Sequence, residues 1–394
     1  MSQAVAVAPG RPPFWRDVRI LRILGQVLVV VAVFLIGQQI YLNLQFGVKQ
    51  QAIDLSWGFL NSQAGFDIKE GLDYSRADSV ARAFTVAGFN TIRVAGVGIV
   101  LASLFGLVIG VARLSKNWLV RKIAQAYVDL FRNTPVLVVI LFVYFGFVLQ
   151  LPRIDEGGSV FGVAFVSQRG TAIPWPRTDA GVGAWGVCLL AALVVAWLVR
   201  RWRTRINETT GKPHYRFLWS GGVFLAIAVG SYFVIGSPMK MDVPKVDGLR
   251  FVGGVEMTGE FFALLMGLVL YTSSFIGEII RGSILAVEKG QKEAGEALGL
   301  TPFQQLRFVV LPQAMRIAIP PINSQYLNLT KNSSLGLAVA FPEMVSVGTT
   351  IINQEGRVTQ VVVLWMLFYL TLSLSISTVM NAINRVVAYR GVRR

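Results

Sequence analysis

The chain has 394 residues, 54% of them hydrophobic, with a mean hydropathy of +0.58. That is too apolar for a soluble domain, and the single Cys188 and single His214 exclude a disulfide framework and any site needing two imidazoles. The formal charge of +16 invites a nucleic-acid reading, but in a membrane chain the placement of each charge decides.

Arg11, Arg16, Arg19 and Arg22 precede an apolar run from Ile23 to about Leu42. The run is long for a cleaved signal peptide and lacks a small-x-small site, so it reads as a retained signal anchor. Eight spans are expected, at roughly 23–43, 85–112, 123–149, 182–199, 217–236, 260–282, 318–340 and 360–384. In the second span Gly98, Ala102, Gly106 and Gly110 recur every fourth residue, a stripe that lets another helix approach closely. The 45–84 stretch is polar and mildly acidic. The 150–181 loop, with Pro174-Trp175-Pro176, reads as irregular and exposed.

The loops alternate in charge. The N-terminus, 113–122, 200–216, 281–316 and the tail from Arg385 hold 23 Lys and Arg against 5 Asp and Glu. The intervening loops, 45–84, 150–181, 237–260 and 341–358, hold 11 against 14. The positive-inside rule therefore predicts that both termini and the 281–316 loop are cytoplasmic. The net charge is a topology signal with attraction to membrane lipids, and no nucleic acid is expected. Arg200, Arg201, Arg203 and Arg205 form a juxtamembrane anchor.

Five charges fall inside the expected spans: Arg93, Asp129, Arg132, Glu278 and Lys331. Charge at membrane depth is costly and often functional. Arg132-Asn133-Thr134-Pro135 breaks the third span, because Pro135 frees a backbone carbonyl one turn back. Glu278 and Arg281, three apart, suit a pair on one helix face. Ser324, Asn328, Lys331 and Asn332 make a polar stripe on the seventh span, fitted either to interhelical hydrogen bonding or to a translocation path. There is no P-loop, since Gly211-Lys212 is followed by Pro213, and there is no H-E-x-x-H, cysteine pair or visible nucleophile triad. No catalytic residue, metal site or cofactor is expected.

Gly290 to Pro312 reads as two short helices joined by a tight turn. Glu293, Ala294, Glu296 and Leu298 favour helix, and Gly299 supplies a left-handed stop. Thr301 and Gln304 fit a capping box with Pro302 at the first helical position. Phe303, Leu306 and Val310 are placed on one face, and Leu311-Pro312 closes the second helix. Such a unit on the cytoplasmic side suits docking into a groove on a soluble partner.

This stretch resembles the "EAA" coupling loop of bacterial ABC importer permeases, E-A-A-x3-G-x9-I-x-L-P, matched at Glu293, Ala294, Gly299, Leu311 and Pro312. Gly295 and Val309 depart from it. FRNTPVLVVILF, LYTSSFIGEIIRGSILAVEKGQKEA and YLNLTKNSSL are similar to segments of polar amino-acid importer permeases, with Asn332 where an Asp is usual. The enlarged layout resembles the larger permease of general L-amino-acid importers.

The resemblance implies an all-α fold with a five-helix permease core, divided as 1–84, a transmembrane anchor with a periplasmic segment; 85–150, core; 151–259, an insertion with two extra helices; and 260–394, core with the coupling loop at 288–312. It implies a permease subunit for L-amino acids in the bacterial inner membrane. Its partners would be a second permease chain, two cytoplasmic ATPase subunits that do the hydrolysis, and a periplasmic amino-acid-binding protein. Ser324, Asn328, Lys331, Asn332, Asn133, Thr134 and Glu278 are then candidates for the path or the substrate. An ion-coupled secondary transporter is the first rival, with Asp129 and Glu278 as its only intramembrane carboxylates. A membrane-bound enzyme or scaffold is the second.

Overall fold

The computed structural model describes residues 15, 18–50, 55–154, 156, 158–160, 162–178, 181–211, 215–248 and 250–389. The expected basic residues Arg11, Arg16, Arg390, Arg393 and Arg394 lie outside these, as do Lys212 and His214. The helices are α1 (Val18–Gln50), α2 (Val80–Ala112), α3 (Trp118–Asn133), α4 (Val136–Gly146), α5 (Val182–Thr210) and α6 (Arg216–Val234). They continue with α7 (Gly259–Leu285), α8 (Lys289–Ala297), α9 (Pro302–Gln305), α10 (Leu311–Asn332), α11 (Met344–Glu355) and α12 (Val358–Tyr389). Six are long and apolar enough to cross a membrane, or up to eight spans if each of two bent pairs counts as one.

The bent pairs correct two expected spans. The third is not one rod: α3 and α4 meet at 107°. Pro135 cannot donate to the carbonyl a turn back, and Thr134 before it is extended (φ −103°, ψ 131°), the conformation a following proline favours. The seventh begins earlier than expected, at Leu311, and its α-helix stops at Asn332. A 3-10 stretch Ser333–Val339 follows, Ala340 turns left-handed (φ 57°), and α11 leaves at 50°.

The bundle is built around α7. Gly98, Ala102, Gly106 and Gly110 are all buried, and a Cβ added at Gly106 would come within 2.6 Å of Ile276 Cγ2. At Gly110 it would meet the Gly277 carbonyl oxygen at 2.8 Å. Glycine on both helices thus sets the α2–α7 distance. At Gly267 an added Cβ would meet Ile140 Cγ1 at 2.6 Å, which brings α4 onto another face of α7. Leu264, Leu268, Ile140, Leu329 and Phe341 complete this core. A second core joins Phe59, Ile68, Val80 and Val86 to Ile351 of α11 and Val361 of α12.

The 150–181 loop, expected to be irregular, contains four short strands, and the segment before α7 contains four more. β1 (Ser159–Val160), β2 (Ala164–Ser167) and β3 (Gly170–Ile173) run antiparallel with β8 (Val255–Thr258), in the order β1-β2-β3-β8. β4 (Trp175–Thr178) pairs with β5 (Met239–Asp242), and β6 (Lys245–Asp247) with β7 (Arg250–Val252). The strands before α5 thereby meet those after α6. The chain returns where it left: Gln168 Nε2 donates to the Leu149 carbonyl at 2.9 Å, and a Cβ on Gly259 would touch Val148 Cγ1 at 2.7 Å. The α5–α6 hairpin packs chiefly on itself.

Segment 55–79 is fastened to the bundle from above. Glu70, buried to 5% exposure, pairs with Arg93 of α2 and accepts from the Thr258 backbone N–H at 2.9 Å. Arg93 stacks 4.3 Å above the Phe261 ring. Asn90 Nδ2 reaches the Glu70 carbonyl at 3.1 Å and the Pro342 carbonyl at 2.9 Å. Among the in-span charges, Arg93 is thus consumed in a knot that ties one segment, two helices and the turn before α11.

Candidate functional site

Two groups of candidate residues are resolved, one at each end of α10. The first is the α8–α9 unit. α8 ends in a Schellman turn: Leu300 N–H donates to the Gly295 carbonyl at 3.1 Å and Gly299 N–H to the Glu296 carbonyl at 2.9 Å. Gly299 is left-handed (φ 73°), a conformation in which a side chain is strained. The capping box is formed, with Gln304 N–H on Thr301 Oγ1 at 3.4 Å and Thr301 N–H on Gln304 Oε1 at 2.9 Å. Gln305 Nε2 donates to the Lys292 carbonyl at 2.9 Å. Gly295 lets this happen, because a Cβ there would lie 2.9 Å from Gln305 Cγ. The departure from the usual Ala is therefore a packing adjustment.

Leu311-Pro312 does not end the second helix. Residues Leu306–Val310 form a π-turn that runs directly into α10, whose first turn holds Pro312. Widening the turn spares the backbone the clash and the missing donor that proline imposes on an α-helix. Gln313 Nε2 then donates to the Val309 carbonyl at 3.1 Å and to Gln291 Oε1 at 3.2 Å, locking the unit onto α10. The extra residue also rotates the helix face. Val310 is buried with Val287 and Ala314, but Phe303 is 68% exposed, so the three residues expected on one face are split. Leu298 is 79% exposed. Glu293 and Ala294 are exposed on α8, with Lys289 Nζ 3.9 Å from Glu293 Oε1, a pair of little energetic weight.

The second group lies on α10 and α3. Leu329 and Thr330 are buried, and Tyr326 OH bonds Ser103 Oγ of α2 at 2.7 Å. On the opposite face Ser324, Asn328 and Lys331 are exposed together, and Asn332 is half-buried. Among the described residues no carboxylate pairs with Lys331. Asn133 and Thr134 do not extend this stripe by any hydrogen bond. Asn133 Nδ2 donates to the Asp129 carbonyl at 2.7 Å and Thr134 Oγ1 to the Leu130 carbonyl at 2.8 Å. Their side chains replace the partners lost at the α3–α4 corner. Arg132 lies 5.2 Å from the Phe275 ring centroid.

Glu278 is a clamp. It accepts from Arg281 Nη2 at 2.6 Å and Arg281 Nε at 3.0 Å, and pairs with Arg113 at the end of α2. Arg113 was not among the residues singled out from the sequence. Neither was Glu343, which is fully buried, caps α11 through Ser346 N–H at 2.7 Å and Val345 N–H at 2.9 Å, and accepts from Tyr369 OH at 3.2 Å. The only local signal for it was an acidic residue just ahead of an apolar helix start.

The chain matches the model of the binding-protein-dependent transport system inner membrane component over residues 98–223 and 224–390. It is 42% identical over 329 residues to AapQ of Rhizobium johnstonii, a general L-amino acid transport system permease protein, covering 83% of this chain and 82% of the relative. It is 39% identical over 367 residues to YhdX of Escherichia coli, a putative amino-acid ABC transporter permease protein, with 93% of each chain covered. BztB of Rhodobacter capsulatus, a glutamate/glutamine/aspartate/asparagine transport system permease protein, is 37% identical over 91% of this chain and 92% of its own. With a family match across most of its length and relatives of this identity spanning nearly all of it, the chain belongs to the binding-protein-dependent transport system inner membrane components.

Proposed function

We propose that this chain is one permease subunit of an ATP-driven importer of L-amino acids in the bacterial inner membrane. The observation that carries the proposal is the α8–α9 unit. It is rigid through its Schellman turn and capping box, it is fused to α10, and it presents Leu298 and Phe303 to solvent. Exposed apolar side chains on a braced loop are what a docking element needs. Glu293, Ala294, Gly299, Leu311 and Pro312 then transmit movement of a separate ATPase chain to α10. That helix carries the stripe of Ser324, Asn328 and Lys331, so work at one end displaces polar groups at the other.

A polar stripe exposed on a membrane helix cannot be left against lipid. A second permease chain across the stripe, with an aqueous path between the two, accounts for it. In this arrangement α2, α3–α4, α7, α10 and α12 form the moving core, and the 1–84 and 151–259 stretches are additions. Two ATPase subunits and a periplasmic amino-acid-binding protein complete the assembly. The relatives' amino-acid names support the substrate class.

Reconstitution tests this reading. Proteoliposomes holding this chain with its second permease and ATPase chains should take up amino acids only with ATP and the binding protein present. Uptake driven by an ion gradient without ATP would instead favour the secondary-transporter reading.

Charge asymmetry further supports both termini and the α8–α9 unit lying in the cytoplasm. In a Cys188→Ser background, Glu208→Cys at the α5 end should resist an impermeant thiol reagent in intact spheroplasts and label after lysis. Labelling without lysis would reverse the orientation.

A further inference from the structure

Segment 55–79, the β3–β8 pair and the start of α7 converge at one place. Thr258 N–H donates to Glu70 at 2.9 Å, which brings Lys69, one residue earlier, to the end of β8. Gly170 lies opposite Thr258, and Gly259 N–H donates to the Arg169 carbonyl at 3.3 Å, so Arg169 arrives from the other side. Glu256 and Thr258, two apart on β8, share a face, and Glu260 falls in the first turn of α7. Lys69, Arg169, Glu256, Thr258 and Glu260 together line an open cavity of about 510 Å³.

Two positive and two negative side chains thus share one cavity. Among the described residues, none of the four is in an ion pair. Glu260 accepts from Tyr144 OH at 3.3 Å, and the side chains of Lys69, Arg169 and Glu256 make no hydrogen bond. The opposite charges are held apart with their hydrogen-bonding capacity unspent. A simple anion would meet the carboxylates and a simple cation the guanidinium, whereas a zwitterion satisfies both.

Lys69, Glu256 and Thr258 are also the rim of a second cavity of about 680 Å³. Its walls include Phe89 and Val97 of α2 and Phe261 and Leu265 in the first two turns of α7. Glu70 and Arg93 line it too, but they are spent on each other. Phe89 is 40% and Val97 41% exposed, so this wall is reachable from outside the bundle. Trp175, which also lines it, is 54% exposed, and tryptophan suits the membrane interface.

A free α-amino acid and an aminophospholipid head both carry an ammonium a few bonds from an anion. The amino acid would fill the charged chamber and leave the apolar one bare. We propose that the two cavities together seat an aminophospholipid. Its phosphate lies at Lys69 and Arg169, its ammonium at Glu256 and Glu260, and the start of one acyl chain against Phe89, Val97 and Leu265.

Glu256→Gln and Arg169→Gln each remove a charge that has no partner among the described residues, so the fold should persist, with helical circular dichroism unchanged. The full-length protein in mild detergent is mixed with phosphatidylethanolamine, phosphatidylcholine or phosphatidylglycerol of matched chains, and bound lipid is counted by native mass spectrometry. Phosphatidylethanolamine should be retained best, because methylation removes the N–H donors of the second lipid and the third has no ammonium. Glu256→Gln should lower its apparent affinity roughly tenfold without weakening phosphatidylglycerol. Arg169→Gln should weaken both by roughly fivefold. Equal retention of the three lipids, or a Glu256→Gln variant that weakens all three alike, would overturn the proposal. Displacement of the lipid by glycerophosphoethanolamine or a free L-amino acid at equal concentration would also overturn it, by assigning the charged chamber to a small zwitterion. These measurements need neither ATP nor a second permease chain, so they stand or fall apart from the transport reading.

Discussion

Gly299→Val is expected to uncouple ATP hydrolysis from uptake while leaving the membrane bundle intact. The reason is local. Gly299 holds the left-handed conformation that closes α8, and a β-branched residue there costs roughly 1–2 kcal/mol or more. A side chain at this position has open space around it, so the penalty is purely one of backbone conformation. The cheapest relief is to undo the Leu300 and Gly299 hydrogen bonds and let α8 swing from α9. At about 1.4 kcal/mol per tenfold, uptake should fall by roughly an order of magnitude or more. Gly299→Asn, which tolerates the left-handed region, should retain most activity. The measurement is uptake and ATPase rate side by side, together with co-purification of the ATPase. Normal uptake with the ATPase still bound in the valine variant would remove Gly299 from the joint.

Lys331→Met is expected to abolish uptake in an assembled complex with basal ATPase activity preserved. The ammonium sits in the last turn of α10 on the exposed stripe, and no carboxylate pairs with it among the described residues. Its place near the α10 C-terminus is favourable for a cation, though by no more than about 1 kcal/mol at an exposed position. Facing lipid it would cost about 2.5–3.5 kcal/mol on insertion scales. The remainder comes from water, backbone acceptors or an anion that meets the stripe, and we propose the carboxylate of an amino acid in transit. Methionine keeps the length and packing of the stem while deleting the charge. Dissociation of the variant complex in detergent would assign Lys331 to a carboxylate of the second permease. Unchanged uptake rate and selectivity would reject both roles.

What was legible in the sequence follows the range of the interaction. The capping box spans Thr301 to Gln304 and the glycine stop acts through its neighbours, so both could be read from spacing and both are formed. The stripe of small residues on α2 was equally readable, because its period lies within one helix. Pro312 does not end the helix as its sequence context predicts, because the π-turn at 306–310 replaces the α-turn that proline disrupts. The pairings of β3 with β8 and β4 with β5 reach across two membrane helices, where no local pattern points, and the local pairs β1–β2, β2–β3 and β6–β7 are only two to four residues long. Arg93 and Glu278 were seen to need partners. Arg281, three positions on, is the expected partner of Glu278 and is in place, but its second partner Arg113 and the partner of Arg93, Glu70, lie 165 and 23 positions away, where no periodicity points.

The meeting of Val148 with Gly259 has a consequence in polymer terms. To the five-helix core, everything between those residues is a closed loop with its ends already pinned. For a flexible loop each doubling of length costs only about 0.6 kcal/mol of closure entropy. Its two spans and small sheets therefore cost the bundle little closure entropy, while Thr258 at its end still caps α7 and donates to Glu70. A short turn joining the end of α4 to Thr258 is the seam along which this chain could be shortened.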